Sequence, residues 1–210
     1  MPDKLSSSEK RDLILQAGMQ LVPYVGGPMA SLYFGSKQEK RFRRLESFYQ
    51  EIAQEVEAMR DSIGAIDEQN PEALEALMES LHEKIEVEPT LEKREYFKNY
   101  FKNTLKQPVF SNYDERKFFL ETLNEMSTLE CEILALIKSQ PHPTPVEVIN
   151  KPGVNQYAIV GAIGRLKSRG FLIATQGSFA IGSRDIDNSL KELVKVSQFG
   201  INFAEFCLST

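Results

Sequence analysis

Leu166–Ile181 reads LKSRGFLIATQGSFAI. A helical apolar pattern stops at Gly170, the residue type that most readily takes the left-handed conformation closing a helix. Phe171-Leu172-Ile173 and Phe179-Ala180-Ile181 then flank the glycine-bearing turn ATQGS and read as two short strands. The question is what precedes this hairpin.

Three helix starts lie upstream. Ser127-x-x-Glu130 is a capping box, in which hydroxyl and carboxylate satisfy reciprocal free amides. Leu129, Ile133, Leu136 and Ile137 supply the apolar face of the helix it opens. Thr144-Pro145-x-Glu147 reads as a second box, opening a short helix around PVEVI. After the Lys151-Pro152-Gly153 turn, Asn155 caps a third helix with Ile159, Ile163 and Leu166 facing the core. Helix, short helix, helix and hairpin is the order of a winged helix-turn-helix.

A module of this shape reads DNA when its third helix presents groups that reach base edges and flanks that neutralise phosphate. The outward face would offer Asn155, Gln156, Ala158, Ala162, Arg165 and Arg169, with Lys151 and Lys167 nearby. Asn155 and Gln156 suit adenine and an arginine suits guanine. The nucleic-acid candidates are therefore Asn155, Gln156, Arg165, Lys167 and Arg169. Gly161, Ala162 and Gly164 make the middle of that face small, and the QGS turn has no cation. Packing or protein contact is the preferred use, and DNA binding the alternative. The tail's Leu190, Leu193, Val194, Phe199, Phe203 and Phe206 suit one helix, or two divided near Gly200, packed back on the body.

The N-terminal half is helical by periodicity. Phe42, Leu45, Tyr49, Ile52, Val56, Met59 and Ile63 alternate spacings of three and four, an apolar seam on a helix across roughly 36–64. Asn70-Pro71 starts a second helix carrying Leu74, Leu77, Met78, Leu81 and Ile85, and the short link predicts an antiparallel hairpin. The helix TLEKREYFKNYFKNTL repeats an aromatic doublet at Tyr96-Phe97 and Tyr100-Phe101, expected as core, with Lys93, Lys98, Lys102 and Lys106 mostly elsewhere. In DERKFFLETLNEM, Phe118, Phe119 and Leu123 are expected to turn inward.

Residues 13–34, LILQAGMQLVPYVGGPMASLYF, carry no charge. Pro23, Gly26, Gly27 and Pro28 would break a single spanning rod into two arms. The favoured reading is an apolar hairpin that is buried or self-associates; the rival is membrane contact. The rival draws on the basic run Lys37, Lys40, Arg41, Arg43 and Arg44, which an anionic cytoplasmic leaflet attracts. Leu13, Ile14, Leu21, Val22, Tyr24, Val25, Met29, Leu32 and Phe34 complete that membrane or assembly set.

The net charge of −5 disfavours bulk attraction to nucleic acid. The polar opening MPDKLSSSEKRD is unlike a secretory signal and, with only Cys131 and Cys207, predicts a cytoplasmic protein with two buried thiols, peripheral on the inner membrane at most. His82 and His142 have no partner at metal-ligand spacing, and phosphate-loop, dinucleotide and nucleophile-elbow stretches are missing. The expectation is a non-enzymatic chain with no cofactor, metal or small-molecule substrate, working with a protein partner or as a homo-oligomer.

The second half resembles the Abi-alpha class of bacterial abortive-infection proteins. The likeness runs over about residues 90–208, through EYFKNYFKNTL, KFFLETLNEMSTLECEIL, LKSRGFLIATQ and VSQFGINFAEFC, and is best marked by Ser197-x-x-Gly200-x-x-Phe203-x-x-x-Cys207. PYVGGPMASLYFG and the basic residues after it extend it loosely into the first half. The resemblance implies a phage-defence role without enzymatic chemistry. The expected architecture is mainly α: an apolar helical segment (1–35), an antiparallel helical hairpin (36–88), linking helices (89–126), and a winged-helix-like module with one short β-hairpin and a C-terminal helix (127–210).

Overall fold

The computed structural model describes residues 36–58, 70–107, 109, 112–175 and 188–209. It is mainly helical, with one small three-stranded antiparallel sheet. Among the described residues no helix is long and apolar enough to cross a membrane. Two compact units meet in sequence between Asn124 and Glu125.

The first unit is built from α1 (Ser36–Ala58), α2 (Pro71–Val87), α3 (Leu91–Lys106) and α4 (Tyr113–Glu125). Asn70 caps α2 as its sequence requires, its side-chain oxygen accepting from the Ala73 amide, with proline in the first turn. Leu45, Tyr49 and Ile52 of the α1 seam are buried, joined by Phe48. Phe42 and Val56 lie on α1 with their side chains outside the described set; Met59, Ile63 and residues 1–35 lie outside the described residues altogether. Phe101 of α3 meets Phe48 and Tyr49 edge-on, with ring centroids 6.3 and 6.2 Å apart.

Two expectations for this unit change. Lys93 and Lys98, expected mostly off the aromatic face, are buried. Lys98 pairs with Glu51 and Glu95, while Lys102 pairs with Glu55 at 2.6 Å, so α3 runs alongside α1 in the same direction. Lys93 lies 3.5 Å from the Glu88 carboxylate and donates to the Asn124 carbonyl. Long lysine stems fill apolar space while their ends reach acceptors, so helical spacing alone misplaces them. Phe118 is half-exposed, and Phe119, Leu120 and Leu123 supply the inward face of α4.

The second unit holds α5 (Thr128–Ser139), β1 (Thr144–Pro145), a 3-10 turn (Val146–Val148), α6 (Gln156–Ser168), β2 (Leu172–Thr175), the single turn α7 (Asn188–Lys191), β3 (Leu193–Val196), α8 (Gln198–Phe203) and a π turn (Ala204–Leu208). The capping box at Ser127 forms as read. The second one does not. Pro145 occupies the cap position of the 3-10 turn without a side-chain bond, and Thr144 joins the sheet. Leu136 faces outward.

The main correction concerns the tail. Leu193–Val196, expected within a helix, is the central strand; it pairs antiparallel with β1 on one side and β2 on the other. The expected strand at 179–181 lies outside the described residues, so β2 has β3 as its described partner. At the end of α6 the Gly170 amide donates to Lys167 and the Phe171 amide to Leu166, the Schellman pair, with Gly170 at φ +77°.

Candidate functional site

The face that would meet DNA is formed by the 3-10 turn and α6, and Glu130 in α5 controls its charge. Its side chain is 3% exposed. One oxygen receives the Ser127 amide and hydroxyl at 2.8 and 2.7 Å. The other accepts Arg165 Nε at 3.1 Å and Arg169 Nη1 at 2.7 Å. Burial alone would raise the Glu130 carboxyl, but the Ser127 donors and the Arg165 guanidinium outweigh it and hold the group below the usual carboxylate range. The capping glutamate is thereby also a clamp between α5 and α6.

The remaining polar candidates are engaged too. Asn155 spends its side-chain oxygen on the Tyr157 amide, capping α6. Gln156 donates to the Val146 and Ile149 carbonyls, tying the start of α6 to the 3-10 turn. Lys167 pairs with Glu192 at 2.5 Å, and Arg169 also lies 3.6 Å from Glu125. Ala162, expected outward, is fully buried.

What faces outward is mostly apolar or small. Tyr157 is 60% exposed and Val148 is 56% exposed. Ala158, Gly161 and Gly164 are exposed along α6, as is about half of Arg165, and Lys151 nearby is paired with Glu132. No family model, curated protein or solved structure matches the chain. Tyr157 and Val148 were not singled out from sequence. The available signal was that Tyr157 falls off the Ile159–Ile163–Leu166 stripe.

The tail closes this unit. Ser197 caps α8, its hydroxyl accepting from the Gly200 amide at 2.9 Å and donating to the Gly170 carbonyl at 2.6 Å. The Ser197 amide donates to the Phe171 carbonyl. Phe203 stacks on Phe171 with centroids 4.4 Å apart. Cys207 and Cys131 are buried free thiols.

In the first unit, the basic candidates occupy the start of α1. Lys40, Arg41 and Arg43 are exposed, whereas Arg44 is half-buried and donates to the Glu86 carbonyl at 3.0 Å. Lys37 stands in the first turn of the same helix, its side chain outside the described set. The apolar partners from Leu13 to Phe34 lie outside the described residues. Among the described residues no three His, Cys, Asp or Glu side chains form a group able to hold a metal ion.

Proposed function

We propose that this chain acts through protein contacts made by its second unit, a winged-helix-like module, in a phage-defence role of the abortive-infection kind and without a catalytic step. The winged reading draws on the element order α5–β1–α6–β2–β3 and on the sheet order, with β3 between β1 and β2. The first unit would be its helical scaffold. Arg44 meeting Glu86, and Tyr49 meeting His82, pair the start of α1 with the end of α2 and support an antiparallel hairpin. The defence role itself rests on the Abi-alpha resemblance of residues 90–208.

The observation that carries the contact reading is the engagement of Gln156, Arg165, Lys167 and Arg169 inside the fold, leaving Tyr157 and Val148 as the prominent exposed groups. Base readout needs free donors and acceptors, and phosphate binding needs uncompensated cations. An aromatic beside small residues instead suits the core of a protein interface.

Sedimentation velocity and pull-down during phage challenge test it, comparing the wild type with Tyr157→Glu and Val148→Glu. Loss of a captured partner, or of self-association, in both folded variants is the expected result. Salt-dependent binding to duplex DNA that disappears in Ala158→Glu would instead favour the regulator reading.

A further inference from the structure

We draw no further inference here: the strongest candidate, the exposed surface patch of Tyr157, Gly161 and Gly164 along α6, belongs to the face already described, and nothing in the structure shows what covers it.

Discussion

The Ser197 hydroxyl donates to the carbonyl of Gly170, 27 residues earlier, at 2.6 Å while accepting from the Gly200 amide. One side chain thus caps α8 and ties it to the turn that closes α6. Gly200 is required in this lock: a Cβ there would stand 2.3 Å from the Phe171 carbonyl oxygen and 2.9 Å from a Val196 methyl. Ser197-x-x-Gly200-x-x-Phe203 is therefore a packing motif.

Gly200→Ala should destabilise the second unit by about 3 kcal/mol, since the obstructing atom is backbone and cannot rotate away. Gly164→Ala, where an added Cβ meets nothing within 4 Å, should stabilise it by about 1 kcal/mol through helix propensity. Urea denaturation compares them. Equal midpoints for the two variants would contradict the assigned packing.

Glu130→Ala should cost roughly 3 kcal/mol, because it removes a cap acceptor and leaves Arg169, whose side chain is 18% exposed, with only the longer 3.6 Å approach to the exposed Glu125. Ser127→Ala removes only the hydroxyl and should cost about 1 kcal/mol. Denaturant melts of the two variants check the ratio. A loss in Glu130→Ala no larger than that in Ser127→Ala would refute the clamp.

Two buried lysines should behave differently. Lys98 has half-exposed partners, with Glu51 and Glu95 side chains 48% and 54% exposed. Lys98→Met should change stability by less than about 1 kcal/mol. Lys93→Met would leave the Glu88 carboxylate, 11% exposed, without its cation and should cost about 3 kcal/mol. Thermal denaturation in low and high salt separates the cases, and similar losses in both variants would count against this account.

Acid should loosen the first unit in two stages. Burial pushes the His82 imidazole down to about 4 from its ordinary 6.5; its Nε2 has no hydrogen-bond partner, and its ring meets Tyr49 edge-on. The unfolded chain therefore binds a proton that the folded chain refuses. Stability is full above pH 6.5 and falls between 6.5 and about 4, by roughly 3 kcal/mol in all. Lys98 holds the Glu51 carboxyl low; Glu88 is also held low, because Thr90 and Lys93 outweigh the opposing effect of burial. Their contributions are lost at more acid pH, as each is protonated. In His82→Leu the slope from pH 6.5 to 4.5 should flatten while the steeper acid limb persists. An unchanged profile would exclude His82 as the source.

The legible parts of the fold were local ones. Asn70-Pro71, the Ser127–Glu130 box, the Asn155 cap and the Gly170 stop depend on groups a few residues apart, and all four form. The misread parts depend on distant partners. Leu190, Leu193 and Val194 fit helical spacing, but Val194 is paired with Thr144 on one side and Ala174 on the other. Lys98 was placed only as mostly off the aromatic face, and its burial was hidden because its partner Glu51 lies 47 residues away. At the candidate face, what the sequence hid was the engagement of its polar side chains within the fold. A cap glutamate at 130 gives no local sign that it will also take arginines from 165 and 169.

The middle position of β3 also sets a timetable for the newborn chain. Residues 144–145 and 172–175 leave the ribosome well before 193–196, and in the finished sheet neither pairs with the other. Among the described residues, both lack their sheet partner until 193–196 threads between them. Translation that stalls just short of Leu193 should therefore yield a sticky, protease-sensitive product, with α5 and α6 formed but no sheet to seal them.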